Sequence, residues 1–175
     1  MKKLSLFLFL FLGIMNLNSF AANFTLESSA FQPNTLIPAL YSCNEADISP
    51  PLTWQEIPPN TQSLAIVVKD PDAQDGEWIH WIIFNIPPSV TNLEENASLP
   101  EGAANGTNSW GTTDYKGPCP PIGAAHRYVF TLYALDTVLS LANGASKDQV
   151  LNAMTGHVIG SSELTGLYQK VPTRK

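Results

Sequence analysis

The sequence is poor in basic charge, in cysteine and, past its first residues, in long apolar runs. Nine Lys and Arg stand against fifteen Asp and Glu, a formal charge of −6. That balance opposes nucleic-acid or anionic-membrane partners held by long-range attraction, so any anion must be held locally. No apolar block follows Leu4–Met15, and that block is shorter than the ~20 residues a bilayer crossing needs, which excludes a membrane-spanning chain. Neither a Gly-x-Ser-x-Gly elbow nor a His-Glu-x-x-His helix occurs, which removes the commonest serine-hydrolase and zinc-protease signatures. No internal repeat is present.

The opening MKKLSLFLFLFLGIMNLNSFAA has the layout of an export signal: Lys2 and Lys3, the Leu/Phe block, then small residues at Ser19 and Ala21. Cleavage after Ala21 leaves residues 22–175 as one soluble domain, periplasmic or secreted, near the usual size of about 100–150 residues. Loss of the two lysines takes the formal charge from −6 to −8. The only cysteines, Cys43 and Cys119, form an even pair in an exported chain, which points to a disulfide; two buried thiols are the alternative.

Strand signals dominate what is there. Ser63–Asp70 (SLAIVVKD), Glu77–Ile86 (EWIHWIIFNI) and His126–Leu135 (HRYVFTLYAL) are rich in β-branched and aromatic residues. Prolines punctuate them, and nothing of helical length separates the first two, which argues for a sandwich or barrel rather than a βαβ fold. FTLESSAF and HVIGSSELTGLY are weaker strand candidates. One helix is expected: Ser146 with Gln149 makes a capping box, Val150, Leu151 and Met154 share a face, and Gly156 is a stop. The polar stretch Pro88–Gly123 reads as a long functional loop.

Side chains alternate along a strand. Alternation puts Trp78, His80, Ile82 and Phe84 on one face, and His126, Tyr128 and Phe130 on one face of their own strand. Leu64, Ile66 and Val68 likewise share a face that ends in Asp70, with Asp72 following across Pro71. Two acids, two histidines and a tyrosine at strand ends make a candidate pocket. Each also has an ordinary reading as a packed or turn residue, and His157 reads as structural.

Taken together, YSCNEADISPPLTW, DPDA, EWIHWIIFNIP, YKGPCPPIGAAHRYVFTLYAL and GHVIGSSELTGLY resemble the phosphatidylethanolamine-binding protein family, in its bacterial Raf kinase inhibitor-like branch. The resemblance implies a mainly β, antiparallel Greek-key β-sandwich with one or two short helices. It also implies a pocket for phosphate-like anions or phospholipid head groups. By motif match the pocket residues fall on Asp70, Asp72, Ala73, His80, Gly117, His126 and Tyr128. Phosphate, phosphoethanolamine or a head group is the expected ligand, with no cofactor and no catalysis. The alternatives are an inhibitor of a protein partner such as a serine protease, with Pro88–Gly123 as the contact surface, and a metal or thiol enzyme using the histidines or Cys119. Gln74 stands where the family commonly has proline after DPDA. The chain also stops soon after LTGLY, from which a more open pocket is expected.

Overall fold

The computed structural model describes residues 24–74 and 76–171; the export segment read over residues 1–21 lies outside them. A six-stranded sheet carries the molecule. Its strands are β3 (Ser63–Asp70), β4 (Trp78–Ile86), β6 (Ala104–Thr107), β7 (His126–Leu135), β8 (Ala145–Ser146) and β9 (Val158–Tyr168), in the order β8-β6-β4-β3-β7-β9. A smaller sheet of β1 (Thr25–Glu27), β2 (Leu52–Gln55) and β5 (Asn92–Leu93) packs on one face, in the order β1-β2-β5. Among the described residues these strands pair antiparallel except for the two-residue β6–β8 contact, which is parallel, as are two isolated bridges, Leu36–Leu167 and Ile122–Lys170. The architecture is the expected mainly β sandwich. Among the described residues, one 3-10 turn at Ala39–Tyr41 and one α-helix, α1 (Lys147–Met154), complete it.

Both faces of the large sheet are covered, which explains why β3 and β4 read as almost continuous apolar runs. Leu64, Ile66, Val68, Phe130 and Leu132 pack against Leu26, Leu52, Trp54 and Leu93 of the small sheet. On the opposite face Ala65, Val67, Ile82 and Phe84 pack against Leu139, Val150 and Met154. Helix α1 starts as its sequence dictates: the Ser146 side chain accepts from the Gln149 N–H, and the Gln149 side chain accepts from the Ser146 N–H. It ends at Thr155, with Gly156 in the left-handed region at φ 84°.

The alternation expected along β4 fails at two places. Val68 pairs with Trp81 while Lys69 pairs with Ile79, so His80 is an extra residue without a counterpart on β3. The bulge resets the phase: Ile79, Ile82 and Phe84 face α1, whereas His80 lies beside Tyr128, on the same side as Trp81 and Ile83. His80 therefore does not share a face with Ile82 and Phe84. A second extra residue lies between Ile83 and Ile86, where Asn85 adopts φ 59°. Its amide donates to the Leu139 carbonyl (2.9 Å) and accepts from the Leu139 N–H (2.8 Å), which pins the connection below the sheet. The stretch Pro88–Gly123 is likewise not a plain loop, because β5 and β6 lie inside it; both are too short to carry a period.

Candidate functional site at one end of the large sheet

Antiparallel order brings the candidate residues together. The last residue of β3 and the first residues of β4 and β7 lie at the same end of the sheet, so Asp70, His80, His126 and Tyr128 converge there. They line a cavity of about 320 Å³. Ala73 and Gln74 of the turn after β3, Trp78 and Trp110, and the Cys119–Pro121 segment complete its wall. Trp110 stands edge-on to both Trp78 and His80, with ring centroids 5.4 and 4.9 Å apart.

Asp70 is the anchor of the site. It is buried at 4% exposure, and its two oxygens divide the labour: Oδ1 accepts from the Asp72 N–H (2.8 Å) and Oδ2 from His126 Nδ1 (2.8 Å). A carboxylate on Nδ1 fixes the histidine so that Nε2 is left for the cavity. His80 is held by the same device with a different acceptor, its Nδ1 lying 2.6 Å from the Lys116 carbonyl. Burial pushes the His80 pKa below the ordinary 6.5, against the opposing pull of the Lys116 and Gly117 carbonyls and the Asp70 carboxylate. His80 is thus favoured in its neutral form, and with Nδ1 donating to the Lys116 carbonyl its Nε2 is an acceptor, not a donor.

Tyr128 is 1% exposed, and among the described residues its hydroxyl makes no well-formed hydrogen bond, although the Asp70 carboxylate and the Cys119 backbone lie beside it. Burial first, and then the nearby Asp70 carboxylate, push its pKa up, so it remains a neutral donor. An unpaired buried hydroxyl costs about 1–3 kcal/mol. A hydroxyl left in that state on a cavity wall marks a place where an incoming acceptor is rewarded.

Two expected pocket residues stand outside the wall. Asp72 turns away to Arg127: the guanidinium spans both carboxylate oxygens at 2.7 and 2.9 Å, and the Arg127 N–H adds a third bond of 2.9 Å. These bonds hold the Asp72 pKa down to about 2. Its role is to tie the DPDA turn to the start of β7, since the adjacent arginine offers a better partner than the cavity does. Gly117 lies behind the wall. Its N–H donates to Asp47 Oδ1 (2.8 Å), and a Cβ there would collide with the Tyr41 carbonyl, so only glycine lets the segment carrying Lys116 approach this closely. Trp110 is the wall residue that the sequence reading omits. The available signal was a large aromatic in an otherwise polar segment.

Cys43 and Cys119 are joined in a disulfide. A model of the phosphatidylethanolamine-binding protein family matches residues 27–169. The chain belongs to that family. Among similar phosphatidylethanolamine-binding proteins of known structure, a putative homolog from Chlamydia trachomatis superposes with a TM-score of 0.81 at 45% identity, covering 86% of this chain and all of its own. YbcL from Escherichia coli, described as a new member of the mammalian family, gives a TM-score of 0.81 at 31% identity with the same coverage. A protein of Methanothermobacter thermautotrophicus named UPF0098 is 52% identical over 149 residues, 83% of this chain and 98% of its own length. Among the described residues, this member of the phosphatidylethanolamine-binding family has no helix long and apolar enough to cross a membrane. Nor do three or more His, Cys, Asp or Glu side chains gather there as a metal-binding group.

Proposed function

We propose that this phosphatidylethanolamine-binding family member is an exported, non-catalytic binding protein for a small phosphate-bearing ligand, such as phosphate, phosphoethanolamine or a phospholipid head group. The observation that carries the reading is the unpaired Tyr128 hydroxyl on a cavity whose two histidines are each fixed through Nδ1. The hydroxyl donates to a phosphoryl oxygen. Neutral His80 accepts through Nε2 from the P–OH of a monoprotonated phosphate, and proton uptake turns the same nitrogen into a donor. Both routes put one more proton in the complex than in the separate dianion and site, so affinity falls as pH rises past the second phosphate pKa, ~6 for a phosphate monoester. The Cys43–Cys119 bond supports export, because such bonds persist outside reducing cytoplasm.

Isothermal titration with phosphoethanolamine at pH 5.5 and 8 tests the binding reading. Tighter binding at the lower pH is expected; no heat at millimolar ligand at either pH rejects it. Fractionation followed by N-terminal sequencing tests export, with Ala22 as the expected first residue.

A further inference from the structure

The disulfide lies in an unusual setting. Both Cys43 and Cys119 are exposed, and the Lys170 ammonium sits 3.9 Å from the Cys43 sulfur and 3.7 Å from the Cys119 sulfur. The lysine is held there. Lys170 bridges to Ile122, and the neighbouring Gln169 side chain donates to the Gly123 carbonyl (2.7 Å), so the chain bearing the ammonium is stitched to the loop bearing Cys119. Structural disulfides are kept by burial and the absence of reactive neighbours. Here the bond is open to solvent and faces a cation, the group that best stabilises a departing thiolate.

We propose that Cys43–Cys119 is an exchangeable disulfide, open to an external dithiol and assisted by Lys170. A thiolate of the dithiol attacks Cys43 Sγ, which lies in the exposed turn 43–46. A new S–S bond forms there, the Cys43–Cys119 bond breaks, and its electron pair stays on Cys119 Sγ as a thiolate beside the Lys170 ammonium. The second thiol of the reagent gives up its proton and attacks the mixed disulfide. That attack closes the reagent's own disulfide and releases the Cys43 thiolate. Two electrons pass from dithiol to protein, and the two protons the reagent loses reappear on the cysteines.

The bond sits on the ligand cavity, since Cys119 is part of its wall. Exchange therefore frees the Pro118–Ile122 strip from the turn at Cys43, leaving one backbone bond there, Cys43 N–H to the Pro118 carbonyl (3.2 Å). A weaker hold on phosphate in the reduced state follows, and this clause alone rests on the binding reading given above.

The test is the rate of reduction by dithiothreitol at pH 7 without denaturant, followed by alkylation and intact mass, for the native protein, Lys170→Gln and Lys170→Arg. The native bond should open while circular dichroism still reports a folded sheet. Lys170→Gln should slow the reaction by about threefold or more, the order expected when a leaving thiol loses a neighbouring cation, and Lys170→Arg should restore the rate. A native bond that reacts only after unfolding overturns the proposal with no variant needed, as does a Lys170→Gln rate equal to the native one. Titration of inorganic phosphate into oxidised and into reduced, alkylated protein separates the two ideas. An oxidised protein that binds no phosphate sinks the binding reading and leaves the exchange rates standing.

Discussion

Strand β7 carries an aspartate–histidine pair at each end. At its start His126 Nδ1 meets Asp70 Oδ2, and just past its end His157 Nδ1 meets Asp136 Oδ1; both contacts measure 2.8 Å. The chemistry and the length are the same. The surroundings are not: the side chains are 13% and 5% exposed in the first pair, 48% and 45% in the second. Water screens the second pair, which leaves it worth roughly 0–1 kcal/mol. In the first pair, removal of one member leaves a buried hydrogen-bonding group of the other without its partner, a loss of about 1–3 kcal/mol. Distance alone does not rank these contacts; what surrounds them does.

The largest expected effect breaks the buried pair. Asp70→Ala leaves both the Asp72 N–H and His126 Nδ1 without their acceptor, so it should lower stability by about 2–6 kcal/mol in urea unfolding at pH 7 and remove phosphate binding. A loss no larger than that of Asp136→Ala would erase the distinction between the two ends. Next comes the wall behind the cavity, where Gly117→Ala forces a methyl into the Tyr41 carbonyl. About 1–3 kcal/mol should be lost in the same assay, with weaker phosphate binding as the Lys116 carbonyl moves off His80.

Tyr128→Phe separates stability from function at the cavity end. Deleting a buried hydroxyl without a partner should leave the ligand-free protein unchanged or stabilise it by up to about 1 kcal/mol, while calorimetry shows weaker phosphate binding. A variant that is less stable and binds as before contradicts both halves. His80 adds a pH dependence of its own. Its pKa in the fold lies below 6.5, so the unfolded chain takes the proton first. The stability that comes from keeping it neutral is complete above that value and lost as pH falls below it. His80→Gln should flatten the decline in melting temperature below pH 6.5; an unchanged slope would mean that other groups carry it. The smallest effect is at the far end, where Asp136→Ala should cost no more than about 1 kcal/mol and leave calorimetric phosphate binding untouched.

Much of this was legible in the residues. Strands β3 and β7 fall on the segments expected from their β-branched runs, because neither is interrupted by a bulge or proline and both are long enough to show a period. Helix α1 announced itself through Ser146 and Gln149. The face of His80 is not legible locally, because a bulge is decided by pairing with β3 and nothing at positions 79–81 signals it. The two- and four-residue strands β5, β6 and β2 were not recognised, since a period cannot be seen in so few positions. Asp72 looked like a pocket acid for want of a visible competitor. Its competitor, Arg127, lies 55 positions away and comes alongside only when β3 and β7 pair.

The extra residue at His80 also divides β4 into two independent phases. Ahead of it, Trp78 and His80 answer to the cavity; behind it, Ile82 and Phe84 answer to the layer over α1. Side chains at Trp78 and His80 can therefore differ in size or polarity and alter the cavity, while the layer built by Ile79, Ile82 and Phe84 over α1 keeps its own contacts.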